Sequence, residues 1–309
     1  MSTDKTPRVA VIGGANIDLI ASPSGRYVPK DSNPGSVNMS FGGVGRNVAH
    51  NLRLLGCDVR FATVFGDDDF ADGLRKNCDE IGLDTSLCER VRGALSSVYV
   101  CINDQNGDLV SAVSQMELMD SLTPSFIEAR MDAFNSCDAV VVETNVPAES
   151  IAALLDGCKV PVFADTVSTA KAQRILAAFD GTRRLHTLKM NRLEAEELTG
   201  VDISGLADLK PATAALHDMG VDHIFITMGS MGVYYHDADS GIQWPTTPVK
   251  MVSSTGAGDA FLAGVVFAHC LGKGPQDAIR CALRASALTV QCEGAVNQSL
   301  TAEYVLSDE

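Results

Sequence analysis

The residues Ser253-Ser254-Thr255-Gly256-Ala257-Gly258-Asp259-Ala260-Phe261 combine two glycines, an alanine and a carboxylate, and an apolar run over 260–271 follows them. Glycine permits backbone conformations that a Cβ would block. A helix starting here presents unpaired N–H groups and the positive end of its dipole. Gly256, Ala257 and Gly258 therefore suit an anion, whether phosphate oxygens or charge that develops during a reaction. Asp259, one residue past the turn, would be repelled by such an anion unless it has a task, such as taking a proton from an attacking hydroxyl. The plainer alternative is a glycine turn with Asp259 as a helix cap.

Four other stretches carry chemically useful side chains. Asn16 and Asp18 follow a strand and Gly13-Gly14; two residues apart in extended chain, they point the same way. An amide beside a carboxylate suits the hydroxyls of a sugar, and an Asx turn is the competing explanation. Gly42-Gly43-Val44-Gly45-Arg46-Asn47 opens a helix; its glycines allow a ligand close to the backbone, with Asn47 in reach. Lys189-Met190-Asn191-Arg192-Leu193-Glu194 places Asn191 and Glu194 three apart at a helix start, on one face. That pair fits a hydrated Mg²⁺, and fits a capping arrangement equally well. Thr227-Met228-Gly229-Ser230-Met231-Gly232 is a glycine turn after a strand, and a hairpin turn accounts for it as readily. Neither a Walker loop nor G-x-G-x-x-G occurs, which argues against a nicotinamide-binding strand at 8–12.

The 309 residues are 46% hydrophobic and 20% charged, enough for one large α/β domain, with a formal net charge of −15. So acidic a chain lacks the basic stripes that a nucleic-acid partner needs. An anionic ligand would have to be met by local cations, backbone amides or a metal ion. The nine cysteines form no C-x-x-C pair and the six histidines no zinc pattern, so we expect reduced thiols in the cytoplasm. Residues 1–8 are polar without a signal-peptide core, and no apolar run reaches membrane-spanning length.

These residues need elements to position them. Strand patterns cover 8–12, 59–64, 139–143, 160–165, 186–189 and 223–227. Helices are expected after Gly43, up to Gly56, and over 69–81, 149–155, 170–179, 191–199, 211–219 and 260–271. Alternating strands and helices imply a mainly parallel sheet, with ligands bound beyond the carboxyl ends of its strands. Asp165, Asn191, Thr227 and Asp259 all fall at or just past expected strand ends. Residues 20–41 read as loops and short antiparallel strands around the turn Asp31-Ser32-Asn33-Pro34-Gly35, and 96–102 with 109–113 as a hairpin closed by Asn106-Gly107.

Taken together, these motifs resemble the ribokinase-like (PfkB) carbohydrate kinases over nearly the whole chain. Gly42-Gly43 with Asn47 is similar to the family's first signature, and Thr255-Gly256-Ala257-Gly258-Asp259 to its second. The resemblance implies a single domain over 1–309, a three-layer α/β/α sandwich with a mainly parallel central sheet. It also implies a small β-sheet lid from about 16–41 and 95–115. The chemistry implied is ATP- and Mg²⁺-dependent phosphorylation of a sugar or nucleoside hydroxyl. By position, Asp259 would be the base and Gly256, Ala257 and Gly258 the anion hole. Asn16, Asp18, Gly42, Gly43 and Asn47 would hold the sugar; Asn191, Thr227, Gly229 and Gly232 would face ATP, with Glu194 on the Mg²⁺ side. Four stretches (31–35, 42–47, 162–168 and 188–196) narrow the resemblance to members that phosphorylate a nucleoside 5′-hydroxyl. The segments 31–38 and 97–115 are where a base would be read. Met190 stands where the family often has proline. Ser253 stands where ribokinases place an aspartate near a monovalent-cation site, so potassium activation is not implied. A lid of few strands is marginal alone, and pairing with a second lid would help it; a homodimer is expected.

Overall fold

The computed structural model describes residues 6–307, so residues 1–5 of the polar N-terminus lie outside it. The strands in chain order are β1 Arg8–Ile12, β2 Asn16–Pro23, β3 Gly35–Gly42, β4 Asp58–Ala62, β5 Val64–Phe65, β6 Glu89–Arg90, β7 Val98–Asn103, β8 Leu109–Gln115, β9 Ala139–Glu143, β10 Val162–Asp165, β11 Leu185–Asn191, β12 Val221–Thr227, β13 Val233–His236 and β14 Gly241–Trp244. The helices are α1 Val44–Leu54, α2 Asp69–Glu80, α3 Pro124–Glu128, α4 Met131–Asn135, α5 Ala148–Gly157, α6 Thr169–Ala178, α7 Arg192–Thr199, α8 Leu206–Met219, α9 Ala257–Cys270, α10 Pro275–Thr289 and α11 Ala302–Leu306.

Eight strands form the central sheet in the order β14-β13-β12-β11-β10-β9-β1-β4. The pairs from β4 through β12 are parallel; β13 and β14 join as an antiparallel hairpin edge. The inner strands β1, β9 and β10 are nearly continuous apolar runs because helices cover both faces. Successive residues serve opposite layers: Val9 and Val11 pack with α1, α9 and α10, whereas Ala10 and Ile12 pack with α3, α5, α6, α7 and α8. The chain is therefore an α/β/α sandwich. A second, four-stranded sheet, β3-β2-β7-β8, stands apart from it.

Helix α9 is buried on nearly every side, consistent with its uninterrupted apolar sequence. Gly264 lets α10 approach closely: a Cβ there would lie 2.7 Å from the Ala282 Cα and 2.9 Å from its N.

Several expectations need correction. The strand expected over 59–64 splits into β4 and β5. Residues 16–42 hold two eight-residue strands rather than short excursions, whereas β7 and β8 do pair as the expected hairpin, across a connection from Asp104 to Asp108. Helix α8 begins at Leu206, so Pro211 lies inside it instead of opening it. Helix α9 begins at Ala257, with Gly256 as its left-handed N-cap (φ 78°). Asp259 thus sits within the first helical turn; it follows no sheet strand, since β14 ends at Trp244 and an irregular segment intervenes. Helix α10 was not expected, although Pro275 at its first turn is an ordinary start signal.

Replacing Gly264 with leucine forces a side chain into the α9–α10 contact. We expect a loss of stability of about 1–3 kcal/mol or more, read from urea unfolding.

Candidate active site

The carboxyl ends of β9, β10 and β11 bring three charged side chains into one row. Glu143 is the register partner of Asp165, and Asp165 of Lys189, so all three project from the same face. Each is buried. Lys189 Nζ donates to Asp165 Oδ2 at 2.8 Å. Burial acts to lower the Lys189 ammonium, but Asp165, Glu194 and Asp259 outweigh it and hold the group above its usual range. Glu143 accepts from the Gly14 N–H and the Asn145 N–H, each at 2.5 Å, and from Asn145 Nδ2 at 3.0 Å. Its burial still raises the carboxyl. A Cβ on Gly13 would lie 2.5 Å from Glu143 Oε1, so that glycine makes room for the carboxylate.

Asp259 approaches this row from the other side, on the first turn of α9. Gly256 offers no capping side chain, and the Ala257 N–H reaches only the Ser254 carbonyl, at 3.4 Å. The start of α9 therefore keeps N–H groups free to meet an anion. A Cβ on Gly258 would lie 2.5 Å from Lys189 Nζ, so the ammonium packs directly on this turn. Burial first, and then the Asp165 charge, push Asp259 up to about 7, against the pull of Asn47 and Lys189. Asn47 Nδ2 donates to Asp259 Oδ2 at 2.9 Å.

Helix α1 supplies that asparagine. Its N-cap Gly43 (φ 100°) lies against the Gly14 carbonyl and 2.7 Å, in Cβ terms, from Ala15 Cα. Gly42 leaves the space that the Asp18 carboxylate fills. Asn16 Nδ2 donates to Asp18 Oδ1 at 2.6 Å. Burial raises Asp18, opposed by that hydrogen bond and by Arg46. Asn16, Asp18, Gly42, Gly43, Asn47 and Asp259 thus converge where β2, α1 and α9 begin.

Asn191 and Thr227 end neighbouring strands as register partners. Glu194 forms a capping box with Asn191: the Asn191 N–H donates to Oε2 at 2.8 Å and Asn191 Nδ2 to Oε1 at 2.7 Å. Thr166 Oγ1 donates to Oε2 at 2.6 Å. The capping alternative is thus what the structure contains. Oε1 has a single donor, which leaves lone-pair capacity for a water. The turn carrying Gly229 and Gly232 (φ 57° and 88°) leads into β13 as an antiparallel connection, the hairpin alternative. Met190 is fully buried opposite Ile226, and the Ser253 hydroxyl accepts from the Thr255 N–H at 3.2 Å.

Glu143, Asn145 and Arg46 were not singled out from sequence. An acidic residue closing an all-apolar strand was the available signal for Glu143. Among the described residues, no group of three or more His, Cys, Asp or Glu is arranged to hold a metal ion. Mg²⁺ needs less, taking one or two carboxylates with water and phosphate oxygens, and Asp165 and Glu194 offer that much. Free amides for an anion, a cation beside them and a proton-accepting carboxyl near pH 7 make an arrangement suited to phosphoryl transfer.

Because the folded Asp259 pKa, about 7, exceeds its ordinary value of 3.8, the native state keeps a proton that the unfolded chain has released. Stability therefore falls as pH rises from about 4 to about 7. We expect Asp259→Asn to be more stable than wild type at pH 8, by at least about 1 kcal/mol in urea unfolding, with the gap closing toward pH 4.

Residues 6–302 match the pfkB family carbohydrate kinase profile. A pseudouridine kinase from Escherichia coli is 33% identical over 302 residues, which is 97% of this chain and 95% of that protein. A carbohydrate kinase from Agrobacterium tumefaciens superimposes with a TM-score of 0.82 at 29% identity, covering 97% of this chain and 96% of its own. The Arabidopsis thaliana ribokinase solved with ribose and ATP shares the fold, with a TM-score of 0.82 at 22% identity over 98% of both chains. The chain belongs to the pfkB family of carbohydrate kinases and is a phosphotransferase with an alcohol acceptor.

Proposed function

We propose that the chain transfers the terminal phosphoryl group of ATP to the 5′-hydroxyl of pseudouridine, giving pseudouridine 5′-phosphate and ADP. The observation that carries this reading is the full-length similarity to the Escherichia coli pseudouridine kinase, with an ionisable carboxyl, Asp259, at the anion-binding turn.

In this reading Asn16 and Asp18 grip the ribose hydroxyls, with Gly42, Gly43 and Asn47 closing around them. Asp259 accepts the proton of the attacking hydroxyl. The amides of Gly256, Ala257 and Gly258 receive the charge of the transferring group, and Lys189 lies against that turn as a fixed cation. Asn191, Thr227, Gly229 and Gly232 form the ATP side, where Gly229 opens onto free space. Glu194, through water, and Asp165 would hold Mg²⁺. When bound, Mg²⁺ neutralises charge on the phosphate oxygens and orients them. Potassium activation is not part of this reading: Ser253 is neutral where a cation site would want charge.

The whole chain acts as one kinase domain, and the sheet β3-β2-β7-β8 serves as its lid. A lid should exclude water, since an open site hydrolyses ATP. We further propose that two lids pair in a homodimer. Met39, Leu19, Val100 and Val113 form one apolar row across all four strands, and Val37, Ala21 and Ile102 continue it on the same face. Val37, Met39 and Val113 are each more than half exposed. An uncharged face of this kind is best covered by its own copy about a two-fold axis. A cytoplasmic setting suits nine cysteines that form no disulfide among the described residues. No described helix is long and apolar enough to cross a membrane.

A phosphate-transfer assay with pseudouridine, uridine and ribose tests the acceptor. Pseudouridine should win in kcat/KM; preference for ribose or another nucleoside would redirect the reading, and no transfer to any acceptor would favour a non-catalytic sensor. Asp259→Asn should cut kcat at least roughly 10²-fold with nucleoside binding nearly intact. Wild-type kcat should fall as pH drops through about 7, where the carboxylate gains its proton. Sedimentation should find a dimer that Met39→Asp converts to monomer; a monomeric wild type would remove the paired lid.

A further inference from the structure

Arg46 is buried in the third helical position after Gly43. A guanidinium is always charged, so burying it is costly, and Asp18 favours this one only through space, without a hydrogen bond. Its direct partners are two neutral amides. Arg46 Nε and Nη2 both donate to Asn77 Oδ1 on α2, at 3.1 and 2.6 Å. Arg46 Nη1 donates to Asn47 Oδ1 at 3.2 Å. Asn47 then uses the other end of its amide on Asp259.

This order of bonds has only one sense. Arginine has donors and no acceptor, so only an oxygen can face it. A rotated Asn47 amide would set its NH₂ against the guanidinium and its oxygen against the Asp259 carboxylate, losing both hydrogen bonds. We propose that Arg46, anchored by Asn77, is a positioning residue of the phosphoryl transfer: it fixes the orientation of the Asn47 amide and thereby keeps a donor on Asp259. The residue acts through Asn47 and does not touch the reacting atoms. The inference rests on the reading of Asp259 as the base.

The charged groups facing Asp259 are Asp165 on β10, Lys189 on β11 and Glu143 on β9; from α1 it meets only the Asn47 amide. Of these, Asn47 alone is oriented by Arg46. Losing its donor should leave the carboxylate less favoured and free to turn. Lysine retains the charge but cannot bond two amides with a planar fork.

The test measures kcat, KM and the pH profile of Arg46→Lys, Asn47→Ala and their combination, with whichever acceptor wild type phosphorylates. We expect Arg46→Lys to lower kcat about tenfold or more and to move the acidic limb upward by roughly half a pH unit. Added to Asn47→Ala, it should change kcat by less than about twofold. A full additional loss in that background, a change confined to KM, or no change in the limb would overturn the proposal. Should Arg46→Lys fold poorly, Asn77→Ala on half-buried α2 removes the anchor alone and should shift the limb in the same direction. An Asp259→Asn enzyme at full rate would remove the base reading itself. An inactive Asp259→Asn enzyme beside an unaltered Arg46→Lys enzyme would remove only the role of Arg46.

Discussion

Four ionisable side chains, Glu143, Asp165, Lys189 and Asp259, are buried together with a single cation among them, and most of the architecture serves that placement. Three carboxyls cannot all ionise cheaply in one dry place. The structure answers unequally. Asp165 has the ammonium directly. Glu143 has a cradle of backbone and amide donors. Asp259 has Asn47 and a share of the Lys189 charge, and burial with the Asp165 charge pushes it up to about 7. A carboxyl that titrates near neutrality follows from crowding like charges into one dry place.

The sandwich makes this affordable by placing the row at the rim rather than in the middle of the sheet. Parallel strands ending together give a straight edge, and the crossovers that join them leave the space above it open. Alternation along each strand sends apolar residues into two separate cores, so neither depends on the charges at the rim. The second sheet then contributes Asn16 and Asp18 from its root, while its far half keeps an apolar face. Hence the element that, in the reading proposed above, completes the substrate pocket is also the one with an exposed apolar face.

Much of this was legible in the sequence for reasons that are local. The bend at 255–259 needs only its glycines to be noticed, and the strands of the sheet announce themselves by apolar runs. What escaped depended on distance in the chain. Glu143 reads as an ordinary strand end until Gly13 and Gly14 arrive from the N-terminus beneath it. Arg46 reads as a solvated helix residue until Asn77 closes on it from α2. The position of Asp259 was misjudged by part of a turn because Gly-Ala-Gly resembles loop, whereas Gly256 in the left-handed region lets the helix begin at once. Glu194 shows the limit of spacing arguments: one geometry served two explanations, and only the bonds to Asn191 and Thr166 identified the cap.

The bend itself is held from behind. A Cβ on Gly256 would run into the Ala295 carbonyl, and the N–H groups of Val252 and Ser253 both bond the Val290 carbonyl, at 2.7 and 3.2 Å. The approach to the reactive turn is thus laced to chain that is synthesised some forty residues later. A nascent polypeptide on the ribosome, with β1 to β14 already emerged, still lacks the buttress that shapes this bend. The bend can take this shape only once the chain through Ala295 has left the exit tunnel.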